Sequence, residues 1–241
     1  MALLVTTGPL LLAVAGLVHP GGLSAATAHR WVHLHIVLLP VFPLLALGFV
    51  VLLRGRPRFD VAGAATVVAW LGAAVYAAGY TGLDAVAGIA AGTVAGQGGD
   101  QAELRRLVLA LYDVGDLLGR AGVYALLIAV LAGTVALGVR HGARVLAGTV
   151  VLLGAGYSFI DSHIFWPRGV LTMLAFAAGF ALWTWAATQQ HEPAAPPRSP
   201  AHPSTSRCDA APSAHHPELP MIMHPITTEM SRRLRAQRCH L

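Results

Sequence analysis

Apolar residues in this chain gather in long runs rather than recurring at every second or third position. Crossing about 30 Å of hydrocarbon as a helix takes about 20 apolar residues. Six runs reach or approach that length: about 2–19, 31–53, 61–81, 117–139, 144–161 and 169–188. The expected fold class is therefore all-α: a polytopic integral membrane bundle of about six transmembrane helices, over residues 1–190. Pro40 and Pro43 lie inside the second run. Each removes a backbone donor, so that helix is expected to kink or open locally.

The stretch 82–116 is less regular. Residues 85–95 are small and apolar, with Gly88, Gly92 and Gly96 four apart on one helix face. Such a face allows close helix approach. The segment is too short to cross alone, so it reads as an interfacial or re-entrant piece, or as a loop, broken at Gly98-Gly99. Residues 101–116 read as a helix leading into the fourth run, with Leu104, Leu107, Val108 and Leu111 on one face. After Gln190 the character changes. Residues 191–241 are rich in Pro, Ser, Ala and His without a sustained period, and are expected to form a disordered tail. Its basic end, from Ser231 to Arg238, is of a kind that touches anionic headgroups.

Composition narrows the class. Hydrophobic residues are 56% and charged residues 11%, against about 25% charged in an ordinary soluble domain, which argues against a soluble enzyme. All 16 basic residues are Arg, and the net charge is +5. Because these Arg residues flank apolar runs and populate the tail, they read as topology signals rather than as a nucleic-acid surface. The bilayer is the expected partner; nucleic acid is not, and oligomeric state is left open. Arg54, Arg56 and Arg58 follow the second run, and Arg140 and Arg144 separate the fourth from the fifth. Both loops are short, so the positive-inside rule puts them in the cytoplasm, together with both termini. The first run lacks a basic segment before it and is read as a retained helix rather than a signal cleaved after Ala28. Cys208 and Cys239 both fall in the tail, so no disulfide framework or CxxC site is expected.

Ionisable groups in or beside apolar spans are costly and mark candidate functional positions. On this topology His19, His29, His33, His35 and His163 fall at the outer face, with Asp84, Asp113, Asp116 and Asp161; the other His belong to the tail, apart from His141 in an inner loop. Imidazole and carboxylate are ligands for zinc, copper and iron. The candidate metal set is His19, His29, His33, His35, His163, Asp84 and Asp161, with Asp113, Asp116 and Arg120 as a proton relay or polar network. His29 and His33 are four apart and share a helix face, whereas His33 and His35 diverge. Asp161 and His163 diverge likewise unless the helix unwinds before Pro167. Each residue also has a plainer role: Trp31 and single His residues suit a membrane interface, Asp116 and Arg120 can pair within a helix, and Asp84 can cap the segment after it. Trp166 and Arg168 read as interface anchors.

Four functions fit these residues. The foremost is binding or transport of a transition metal (zinc or copper) or of protons through the outer His/Asp cluster. The others are a membrane-embedded metal-dependent hydrolase, a b-type haem protein with His35 paired to His19 or His163, and an accessory subunit without chemistry. No Walker motif is present, and Asp161-Ser162-His163 lacks the G-x-S-x-G context of a hydrolase nucleophile.

The orientation makes a prediction. In a chain freed of Cys208 and Cys239, Gly98→Cys should react with an impermeant maleimide in intact cells and Arg56→Cys should not. The reverse pattern would invert the topology.

Overall fold

The structure is a computed structural model that describes residues 1–189 apart from Arg56 and Arg58. The tail at 191–241, and the expectations attached to it, lie outside the described residues. The described residues form helices and turns without strands. They comprise α1 (Ala2–Val18), α2 (Ala28–Leu38), α3 (Leu47–Leu52), α4 (Val61–Leu83), α5 (Ala91–Ala95), α6 (Gln101–His141), α7 (Leu146–Ser162) and α8 (Arg168–Thr188). Four helical stretches among them are long and apolar enough to cross a membrane: Ala28–Leu52, Val61–Ala95, Gln101–Ser162 and Arg168–Thr188. The third is two helices in space. Gly142, at φ +69°, ends α6, and a 3-10 turn over Gly142–Val145 sends α7 back alongside it. α1 is apolar but has only 17 residues. Large apolar side chains such as Leu3, Leu71, Val150 and Leu171 point outward, a surface that suits hydrocarbon rather than water.

Local chemistry explains the boundaries. Asp60 caps α4 by accepting the Gly63 N–H at 2.8 Å, and Asp100 caps α6 by accepting the Ala102 N–H at 2.9 Å; each side chain satisfies a donor that a helix start leaves free. The prolines of the second run act as expected: α2 stops at Leu38, and a 3-10 turn over Phe42–Ala46 carries the chain into α3.

Residues 85–95 depart from expectation. They form neither a re-entrant piece nor a loop. α4 continues through a π-helical turn, Asp84–Ala90, into α5, so 61–95 is one continuous helix of 35 residues. Periodicity alone cannot distinguish a short separate segment from the extension of a preceding helix; packing partners on both sides decide it. One partner is α6, where Leu83 meets Gly119 and Ala87 meets Gly115. The other is α2. A Cβ on Gly88 would collide with the ring of His35, one on Gly92 would approach Val32 and Trp31, and Gly96 faces Ala28. The four-residue glycine spacing thus does permit close approach, and its partner is the His-bearing helix.

A substitution series checks this contact. Gly88→Leu should cost about 1–3 kcal/mol by overpacking and lower the thermal unfolding midpoint in detergent. Gly98→Ala, with open space around it, should leave the midpoint unchanged.

Candidate metal centre

The C-terminal ends of α1, α4 and α7 meet the N-terminal ends of α2 and α8 at one end of the bundle. His19 follows directly on α1, His35 lies in the third turn of α2, Asp84 opens the π-turn after α4, and His163 follows α7. The turn bearing His163 is seated by two close approaches: the Ile164 backbone lies against Gly16 of α1 and against Gly169 of α8, and neither position leaves room for a side chain. α7 ends at Ser162, and His163 takes φ +42°. The chain therefore unwinds before Pro167, and His163 turns inward while Asp161 stays exposed.

His19, His35 and His163 each offer a ring nitrogen, and these atoms lie within 4.8 Å of one another. Two of the imidazoles have a defined tautomer. His19 Nδ1 donates to the Pro20 carbonyl at 2.9 Å, and His35 Nδ1 donates to the Trp31 carbonyl at 2.8 Å. A ring nitrogen facing a carbonyl must carry the proton, so each Nε2 is left with a bare lone pair. Backbone carbonyls orient metal-binding imidazoles in this way. His19 Nε2 is buried and has no hydrogen-bond partner.

Asp84 stands beside them. Its side chain is fully buried, both carboxylate oxygens lack a hydrogen-bond partner, and Oδ1 is 3.9 Å from His35 Nε2. That distance exceeds a hydrogen bond. Held there in its ionised form without a cation, a carboxylate would cost several kcal/mol even after relaxation.

Aromatic rings enclose the cluster. His19 meets Trp31, His35 and Phe165 edge-on at 4.9, 5.1 and 4.5 Å. Tyr80 stacks parallel to His163 at 6.0 Å, and Phe159 stacks on Tyr80 at 4.7 Å. Trp31 is buried, with its Nε1 donating to the Ala87 carbonyl at 3.3 Å; it packs under the site instead of anchoring at an interface. Neither Tyr80 nor Phe165 was identifiable from sequence, because nothing in the pattern distinguishes them from other aromatic residues. The hydrogen bond from His35 back to Trp31 is a four-residue helical relation that the sequence does contain.

The other candidates lie elsewhere. His29 and His33 do share a face, with their Nε2 atoms 3.0 Å apart, but they are exposed on the far side of α2 from His35. Arg120 does not pair with Asp116; it faces Asp161 across the α6–α7 contact at 3.9 Å, with both side chains more than half exposed. Asp113 and Asp116 are exposed on α6. Asp84 continues its helix and caps nothing. Ser162 Oγ donates to the His163 carbonyl rather than joining a triad with Asp161. Trp166 and Arg168 are exposed, with Arg168 Nε donating to Ser158 Oγ at 3.3 Å.

A cavity of about 870 Å³ opens beside the cluster, with His35 and His163 in its wall. Comparison with protein families, with curated proteins and with solved structures finds no match to this chain. The geometry of the site therefore carries the functional argument alone.

Burial lowers the His19 imidazole from 6.5 to about 4, with His35 and Arg30 adding to the effect against the Pro20 hydrogen bond. Burial likewise lowers His163 well below its ordinary value, with His19 and His35 adding to it. Both groups are thus held neutral in the folded protein, whereas the unfolded chain binds protons near pH 6.5. The contribution of these two imidazoles to the stability of the metal-free protein should be fully present above pH 6.5 and decline as the pH falls toward 4. His19→Gln should flatten that decline in a plot of thermal midpoint against pH.

Proposed function

We propose that this protein is a six-crossing membrane protein that holds a transition-metal ion at the outer ends of its helices. The ligands are the ring nitrogens of His19, His35 and His163, with the Asp84 carboxylate in reach. The observation that carries the reading is the pairing of bare, convergent imidazole nitrogens with a buried carboxylate that has no other partner. A divalent cation there would compensate the carboxylate and use the lone pairs that the Pro20 and Trp31 carbonyls have oriented. Imidazole nitrogens suit zinc and copper. Tetrahedral zinc, at bonds of about 2.0–2.1 Å, would set its nitrogens about 3.3–3.4 Å apart, so imidazole nitrogens within 4.8 Å of one another would have to draw together.

The crossings are α1, α2 with α3, α4, α6, α7 and α8. Arg54 lies in one inner loop, and Arg140 and Arg144 in another, as the positive-inside rule requires. Beyond the cluster in the inward direction the bundle is packed with Phe42, Tyr76, Tyr80 and Phe159, all fully or almost fully buried. This packing supports a resident ion rather than one conducted through the bundle. The three imidazoles touch one another, with His19 edge-on to both His35 and His163. That arrangement suits one ion better than the plane of a haem.

Metal analysis of the purified protein in detergent tests the reading. Dialysis against zinc or copper should leave about one ion per chain, and His35→Ala or His163→Ala should lose it. His29→Ala with His33→Ala should retain it. A Soret band in the absorption spectrum would select haem instead, and no retained ion in the wild-type chain would sink the proposal.

A further inference from the structure

His29 and His33 form a second group of imidazoles, on the side of α2 that faces away from His35. They lie four residues apart, both exposed, with their Nε2 atoms 3.0 Å apart and their ring centroids at 4.2 Å. At that distance one Nε2 donates its proton to the other. A shift of this proton to Nδ1 of the same ring leaves two lone pairs converging on one point. Two His four apart on one helix face can bind a single metal ion.

The start of α2 holds the pair in place. The helix begins at Ala28, so His29 already belongs to a regular turn. Hydrogen bonds tie that turn down. The Trp31 N–H donates to the Thr27 carbonyl at 2.8 Å, Thr27 Oγ1 donates to the Gly22 carbonyl at 2.9 Å, and the same hydroxyl accepts the Ser24 N–H at 2.8 Å. On the opposite face Ala28 and Trp31 are buried against the glycines of the α4 extension. A free helix start would fray, and an ion would then have to order it. Here both imidazole-bearing turns are fixed by contacts that involve neither imidazole, and preorganisation of that kind raises affinity by cutting the ordering cost. The adjacent cation is turned aside, because Arg30 donates to the Val18 carbonyl at the end of α1.

The separation and the number of ligands select the ion. Nitrogens bound at about 2.0 Å lie about 2.8 Å apart at neighbouring corners of a square-planar or tetragonal ion, and about 3.3–3.4 Å apart on a tetrahedral one. The observed 3.0 Å stands closer to the first. Zinc sites take three or four protein ligands, whereas this pair supplies two and leaves the remaining positions to water. Copper(II) accepts tetragonal nitrogen and oxygen ligands and stands above zinc in affinity for a given site.

We propose that His29 and His33 form a second metal site, a solvent-facing chelate for copper(II) that is weaker than a site of three imidazoles. Solvated imidazoles need no ion to be stable, so this site fills and empties with the copper concentration, and its ion leaves on dialysis. It shares no ligand with the buried centre and stands whether or not that centre holds an ion.

The test is modification of the full chain in lipid nanodiscs by diethyl pyrocarbonate, mapped by peptide mass spectrometry, which resolves these two among the 12 His of the sequence. Added copper(II) should protect His29 and His33 together, with one shared midpoint. In His33→Gln the midpoint for His29 should rise about a hundredfold, the lower end of what a second, intramolecular contact contributes. His29→Gln should do the same to His33. Both positions are exposed, so neither substitution removes a packed side chain. Zinc should protect the pair only at higher concentration than copper. No protection by copper, or protection of one His that is unchanged by loss of the other, would overturn the chelate. Protection by zinc at the same concentration as copper would overturn the choice of ion. The dialysis-resistant ion of the buried centre should remain in His33→Gln, so the failure of either site is read separately from that of the other.

Discussion

The structure turns on a carboxylate that cannot reach water. Asp84 sits in the middle of a continuous helix, fully buried, with neither carboxylate oxygen hydrogen-bonded and Oδ1 3.9 Å from His35 Nε2. Burial of such a group in its ionised form is unfavourable unless something of opposite charge accompanies it. The surrounding architecture can be read from that requirement. Two helix ends and the third turn of α2 bring His19, His163 and His35 to the same place, and backbone carbonyls hold the protons of His19 and His35 on the far side of each ring.

Close backbone approach makes the convergence possible. His35 reaches Asp84 because Gly88 lets α2 lie directly against the extension of α4, and His163 reaches them because Gly16 and Gly169 admit the turn that carries it. The π-helical turn over Asp84–Ala90 lies at the same level. Turns of this kind appear mostly as single interruptions of α-helices, often at functional sites. The interior is therefore specified twice: small residues set how near the helices come, and the polar residues determine what happens where they meet.

The distribution of ionisable groups follows the same logic. Arg120 and Asp161 stay exposed and paired across α6 and α7, and His29 and His33 pair with each other on the outside of α2. These groups keep access to solvent and need no cation. The buried set, by contrast, has few ways to satisfy its polar atoms internally. Burial, rather than residue type, separates the proposed metal centre from the remaining candidates, and two of its imidazoles, His35 and His163, also line a cavity.

The helical class and the break at Pro40 and Pro43 are local matters, and the chain's own pattern determined them. So was the concentration of His and Asp at one end of the runs, since hydropathy and loop charge need no knowledge of contacts. Which His residues belong together was not decided locally. His29, His33 and His35 lie within seven residues of chain, yet only His35 faces Asp84, because helical geometry turns the other two away and tertiary packing chooses the face. His163 joins them across more than a hundred residues through the seating of one turn. The fate of 85–95 was likewise decided by partners on both sides, α2 and α6. Side-chain direction and long-range approach exist only once helices pack, and the tertiary structure therefore drew a compact cluster of three imidazoles and one carboxylate out of a longer list of polar residues.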